Sequence, residues 1–148
     1  MSDSAGLDAG LLDAFPKVRL DVDNLAFYRG LYQHKVVMNR CDDCSHWHHP
    51  PRSVCPACWS RAVVPTEVLG EGVVVLRTVL RQGRREPGAD YSNGYVVVAV
   101  EFDEQRGLRL TGTVVGTPAV EVRIGQRVRT VWTAVDGRPP RPDFEVIA

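Results

Sequence analysis

Residues 41–59 read CDDCSHWHHPPRSVCPACW and contain every cysteine of the chain. Cys41 and Cys44 form one C-x-x-C and Cys55 and Cys58 a second, with ten residues between the two pairs. A redox pair of the thioredoxin type needs one such motif, at the start of a helix. Two motifs at this spacing suit four thiolates converging on one tetrahedral ion. In each pair the two intervening residues let the chain turn and aim both sulfurs at the metal. Pro56 stiffens the second turn, and Pro50-Pro51 stiffens the approach to it. The spacing predicts Zn2+, with iron as the alternative four-thiolate ion. Four filled positions leave none for water or substrate, so the expected role is structural. Such a site contributes on the order of 10–16 kcal/mol of apparent binding energy to folding. His46, His48 and His49 lie between the knuckles and could compete as ligands. The preferred reading leaves them exposed or hydrogen-bonded around the ligands.

Upstream, residues 1–22 carry small and acidic residues with no sustained period and are expected to form a flexible segment. DNLAFYRGLYQHK, from Asp23, then reads as a short helix that Asp23 or Asn24 can cap. It places Phe27, Tyr28, Leu31 and Tyr32 on one face, while Gly30 weakens it. That aromatic face packs on its own domain or serves as a partner-binding surface, since aromatic side chains are favoured interface anchors. KVVMNR leads into the cysteine knuckles as a strand and AVVPTEVLG leads out, completing a helix-plus-ribbon module over residues 23–66.

From residue 67 to 148 the pattern is β. GVVVLRTVL, GYVVVAVEF, LRLTGTVV and QRVRTVWTAV are β-branched runs separated by Gly, Pro, Asp and Asn. FEVI is expected to add a short edge strand. Five strands in about eighty residues fit a small OB-type barrel, because closure removes exposed edges; an open sandwich is the alternative. The fold class is therefore mainly β: a short N-terminal helix, a zinc ribbon and a five-stranded OB-type barrel. The connection RQGRREPGADYSNG, residues 81–94, is long for a hairpin. Its Arg81, Arg84 and Arg85 suggest contact with a phosphate-bearing cofactor or a partner, against the plainer reading of a solvated loop.

The chemistry of an independent enzyme is missing. No G-x-S-x-G elbow, H-E-x-x-H, Walker loop or dinucleotide fingerprint occurs. The thiols are committed to metal, no histidine lies in the barrel region, and Glu101 and Asp103 read as solvated surface. Acidic and basic residues number eighteen each, so no global field draws the protein to nucleic acid or anionic membrane. The barrel region is likewise neutral, with eleven of each sign and no basic stripe interleaved with stacking rings. No apolar run of membrane-spanning length and no secretory signal is present, which leads to the expectation of a cytoplasmic protein with reduced thiols.

The order FYRGLYQHKVV, RCDDC, PPRSVCPACWS, LGEGVVVLRTVL, YVVVAVEF, LRLTGTVVG and IGQRVRTVW resembles the rubredoxin-like zinc-ribbon/OB-fold proteins of acyl-CoA metabolism, across residues 23–146. The most specific pieces are PPR-x-x-C-P-x-C, the G-x-G-V exit from the ribbon and I-G-x-x-V. The four ligands match position for position. The family usually has glycine after each knuckle, where this chain has Ser45 and Trp59. The resemblance implies an accessory subunit of a thiolase-superfamily, lipid-transfer-protein-like enzyme acting on acyl-CoA thioesters. It points most directly to a retro-aldolase in steroid side-chain degradation. An accessory subunit of an acyl-CoA hydratase is the second reading, and a nucleic-acid-binding ribbon and barrel the third. On this reading the chain has no catalytic residues of its own but belongs to a lyase or acyltransferase complex.

Overall fold

The computed structural model describes residues 3–84 and 89–147, with side-chain surroundings from residue 9 onward. The chain divides into two units, residues 1–68 with 137–140, and residues 69–136 with 141–148.

The first unit begins with helices α1 (Asp3–Ala14) and α2 (Leu25–Tyr32). A flexible segment was expected over residues 1–22, whereas Asp3–Ala14 is helical. Its anchor is tertiary: Leu11 is fully buried, and Phe15 just beyond the helix meets the Tyr28 ring of α2 edge-on at 5.0 Å. The start of α2 is organised by Asp21 rather than by a cap from Asp23 or Asn24. The Asp21 carboxylate accepts the Asp23 and Asn24 N–H groups, both at 2.9 Å. At the other end His34 adopts φ 59°. Lys35 N–H reaches the Gly30 carbonyl (2.8 Å) and His34 N–H the Leu31 carbonyl (3.1 Å), the two bonds of a Schellman stop. Gly30 costs α2 some intrinsic stability but permits its packing. A Cβ there would sit 2.7 Å from Val37 Cγ2 and 2.9 Å from the Lys35 carbonyl.

Three antiparallel strands follow, ordered β2–β1–β3: β1 (Val37–Cys41), β2 (Trp47–His48) and β3 (Val63–Glu67). Asn39 faces His48 and Pro65 on its two neighbours, and Cys41 faces Val63.

The second unit comprises β4 (Glu71–Leu80), β5 (Tyr95–Phe102), β6 (Arg109–Gly112), β7 (Val114–Val115), a 3-10 turn (Ala119–Glu121), β8 (Arg127–Val135) and, from Arg141 onward, β9 (Arg138–Val146), whose first three residues fall in the first unit. Their order is β6–β5–β4–β8–β9–β7. β6 and β7 are one extended stretch interrupted at Thr113, so the order starts and ends on the same piece of chain. β7 pairs parallel with β9, Val114 opposite Phe144, which closes five chain segments into an OB-type barrel.

The core follows strand alternation: Val96, Val98, Val100 and Phe102 of β5 are buried with Val74, Val128 and Phe144. The Phe102 and Phe144 rings lie 6.3 Å apart. Gly72 of the G-x-G exit has no room for a side chain, since a Cβ would lie 2.2 Å from the Glu101 carbonyl oxygen on β5.

β9 corrects the expectation of a short FEVI edge strand. It starts at Arg138, runs through Pro139, Pro140 and Pro142, and seals the barrel rather than bordering it. Those prolines lack the N–H a central strand donates, which is why the stretch reads as non-strand. β9 also carries Asp143, whose side chain is 1% exposed and ion-paired to Arg141 at 3.0 Å. Among the described residues no helix is long and apolar enough to cross a membrane.

Candidate metal centre

The two knuckles are built alike. Cys41 donates its N–H to the His46 carbonyl (2.8 Å) and accepts the Ser45 N–H (2.9 Å). Cys55 donates to the Ser60 carbonyl and accepts the Trp59 N–H, both at 2.9 Å. Each turn closes through a left-handed residue, Ser45 at φ 65° and Trp59 at φ 64°. These are the two positions at which glycine would be expected, and the side chains there are carried at a steric cost. The knuckles are tied together by Asp42 N–H on the Ala62 carbonyl (2.8 Å) and by the Ser60 hydroxyl on the Asp43 carboxylate.

This scaffold brings the four sulfurs within 4.8 Å of one another. Cys41 Sγ is 3.6 Å from Cys58 Sγ, and Cys44 Sγ is 3.7 Å from Cys55 Sγ. A tetrahedron of thiolates about 2.3 Å from a zinc ion has edges of about 3.8 Å, so these separations fit one ion. Electrostatics point the same way. The Cys44 N–H, aimed at Cys41, is the largest influence lowering that thiol to about 7. Cys58 is pushed up to about 12: the Ser60 N–H favours its thiolate, but the Cys44 sulfur, desolvation and the other two sulfurs outweigh it. Cys44 is also raised; the His46 N–H and the Cys58 sulfur lower it, but desolvation with the Cys55 and Cys41 sulfurs wins. Neighbouring thiols resist sharing several negative charges until a cation supplies the balance. The group consists of cysteines alone; no histidine, aspartate or glutamate joins it among the described residues. The metal would be held by Cys41, Cys44, Cys55 and Cys58, and its chemistry there is structural.

The histidines divide. His48 is buried and hydrogen-bonded, the second of the two expected settings: its Nε2 lies 3.2 Å from the Arg52 carbonyl, which also accepts Asn39 Nδ2 at 3.0 Å. That carbonyl requires the proton on His48 Nε2. Together Asn39 and His48 pin the PPRSVC stretch that delivers the second knuckle. His49 packs against the Phe27 ring at 4.8 Å, and burial lowers its pKa, with a smaller contribution from His48.

Of the aromatic face, Leu31 is buried, Tyr28 contacts Phe15 and Phe27, and Phe27 meets His49; Tyr32 is left 38% exposed. In the long connection Arg81 and Arg84 are exposed, and Tyr91 donates to the Arg84 carbonyl (3.0 Å) while its ring contacts Tyr95 at 5.9 Å. Arg85 lies outside the described residues. Glu101 and Asp103 pair with Arg109 and Arg127, as surface carboxylates do. The barrel has a cleft of about 420 Å³ lined by Asp90, Tyr95, Thr113, Thr133, Asp136 and Arg141 among others. Trp59, marked in the sequence only as a replacement for glycine, projects from the second knuckle 82% exposed. Its large apolar side chain at a glycine-favouring position is the signal that marks it.

Comparison with known proteins agrees with this geometry. Residues 29–64 match the model of the ChsH2 rubredoxin-like zinc ribbon domain, and residues 66–133 that of the ChsH2 C-terminal OB-fold domain. The chain belongs to the ChsH2 family. Among solved structures, this ChsH2-family chain is similar to a chain of the Ltp2-ChsH2(DUF35) aldolase, with 29% identity and a TM-score of 0.76. The match covers 88% of this chain and 98% of that one. A DUF35-family protein of unknown function from Sulfolobus solfataricus shares the fold, at 19% identity, TM-score 0.59, and 99% and 100% coverage. Among curated proteins, the probable enoyl-CoA hydratase alpha subunit of Thermomonospora curvata is 30% identical over 87% of this chain. A DUF35 domain-containing scaffold protein of Methanocaldococcus jannaschii is 27% identical over 65% of it. The ChsH2-family chain spans 39% of the first relative's length and 66% of the second's.

Proposed function

We propose that this chain is the zinc-binding, non-catalytic accessory subunit of a thiolase-like enzyme acting on acyl-CoA thioesters. The reaction served is retro-aldol cleavage in steroid side-chain degradation. The observation that carries this reading is the match to nearly the whole of a chain in the Ltp2-ChsH2 aldolase. The site chemistry supports it: four thiolates fill a metal's tetrahedron and leave no position for a substrate. The α1–α2 pair supplies the docking face, with Phe27, Tyr28 and Leu31 fixing its shape and Tyr32 at its exposed rim. Arg81, Arg84 and Arg85 reach CoA phosphates or the partner from the long connection. The protein works in the cytoplasm, where the thiols stay reduced.

The test is a mild pull-down of the tagged chain from its host, followed by assay of the retained enzyme with and without it. A stoichiometric thiolase-like protein that cleaves a β-hydroxyacyl-CoA only when this chain is present is the expected result. A second reading rests on the relative named as an enoyl-CoA hydratase alpha subunit, in which a region like this chain is part of a longer polypeptide. Retention of a hydratase, with hydration activity that depends on this chain, would replace the first reading with the second.

A further inference from the structure

The four sulfurs are not equally placed. Cys41 and Cys55, the first cysteine of each knuckle, are fully buried, while Cys44 and Cys58 are exposed. Two sulfur contacts each join one exposed cysteine to one buried cysteine of the other knuckle, Cys58 to Cys41 at 3.6 Å and Cys44 to Cys55 at 3.7 Å. Thiolate reactivity toward oxidants follows exposure, and a sulfenic acid is resolved by the thiolate that can reach it.

We propose that Cys44 and Cys58 are oxidant-sensitive positions of the metal centre, and that a hydroperoxide converts the centre to two disulfides across the knuckles, Cys41–Cys58 and Cys44–Cys55, with release of the metal. The inference rests on the metal-centre reading and is independent of which enzyme the chain serves. In the first step the exposed thiolate attacks a peroxide oxygen. An S–O bond forms, the O–O bond breaks, and the leaving oxygen departs as water after taking a proton. In the second step the buried thiolate in contact attacks the sulfenic sulfur. The S–S bond forms, the S–O bond breaks, and hydroxide leaves and is protonated to water. Each disulfide consumes one hydrogen peroxide and two protons, and yields two waters. The sulfurs close from 3.6 Å to about 2.05 Å, a shift of about 1.6 Å within knuckles already tied together by the Asp42–Ala62 and Asp43–Ser60 bonds. The first disulfide removes two of the four ligands, and the metal leaves.

A C-x-x-C motif read as sequence alone suggests bridges within each knuckle, Cys41–Cys44 and Cys55–Cys58. The contacts point to the opposite pairing. The experiment treats the full-length zinc-loaded chain with hydrogen peroxide and follows released zinc with a colorimetric chelator. Disulfides are mapped by mass spectrometry of non-reduced peptides, and dimedone in a parallel sample traps the first sulfenic acid. Expected are dimedone adducts on Cys44 or Cys58, cross-knuckle disulfides, one zinc released per chain, and recovery on adding dithiothreitol and zinc. First adducts on Cys41 or Cys55, bridges within a knuckle or between chains, or sulfurs oxidised with the zinc retained would each overturn the proposal.

Discussion

Residues 37–68 and residues 71–146 are both built mainly from antiparallel strands, yet they bury different things. The barrel closes over interdigitated valines with Phe102 and Phe144, so its strands hold one another through dispersion and water exclusion. The β1–β3 ribbon has few buried apolar side chains, Val36, Met38 and Val68 among them, and places Cys41 and Cys55 where a core would be. A small sheet lacks the area to stay folded alone, and a bound ion substitutes for the missing core. The contrast means that one perturbation should act on one region and spare the other.

The largest effect is expected from Cys41→Ser. Losing one of four thiolates should take bound metal from one ion per chain to none by elemental analysis. Out of about 10–16 kcal/mol of apparent metal-binding energy, the greater part disappears with it. Phe144→Ala should act in the complementary direction, costing the barrel about 3–5 kcal/mol in denaturant unfolding while leaving zinc affinity unchanged. A loss of zinc affinity in that variant would break the separation. Arg141→Met strands the Asp143 carboxylate without its cation and should cost about 3 kcal/mol, toward the low end for a buried pair because Arg141 is partly exposed. Adding Asp143→Leu to Arg141→Met should recover most of that loss, since the remaining charge is then gone.

These differences also explain what could be read in the residues. The C-x-x-C spacing specifies the ribbon because a metal imposes the same geometry wherever it is bound, and alternating β-branched runs mark the barrel strands. Ser45 and Trp59 stood out in sequence as replacements for glycine, and both proved left-handed. What escaped depends on distant partners. α1 has little amphipathic pattern of its own, and Leu11 is buried through tertiary packing. β9 was hidden by three prolines whose missing donors matter less than the closure they join. Asp143 has no local signature, because its burial is set by the folded barrel and by Arg141 two residues away.

Smaller effects sharpen the comparison. Trp59→Gly relieves a left-handed backbone and should tighten zinc binding by about 1 kcal/mol, roughly fivefold, in competition with a chelator; unchanged or weaker binding would show that the indole is not a strain. The smallest effect is one of pH in the barrel. Asp103 is held below its ordinary value by the Arg127 guanidinium, and Glu101 by the Gly107 N–H and then Arg109. Lowered folded values mean stabilisation that is present at neutral pH and lost as pH falls below the free values of 3.8 and 4.5 toward the folded ones. Arg127→Gln should therefore flatten the acid-side decline of barrel stability, followed on β5 amides, and an unchanged slope would exclude the pair as its source.

The most direct measurement is residue-resolved amide hydrogen exchange of the intact chain before and after chelation of its metal. Expected is loss of protection across β1–β3 and both knuckles, with Val96–Phe102 of β5 protected as before. Protection that survives chelation in the ribbon, or that collapses equally in the barrel, would contradict a metal-held ribbon and a self-sufficient barrel.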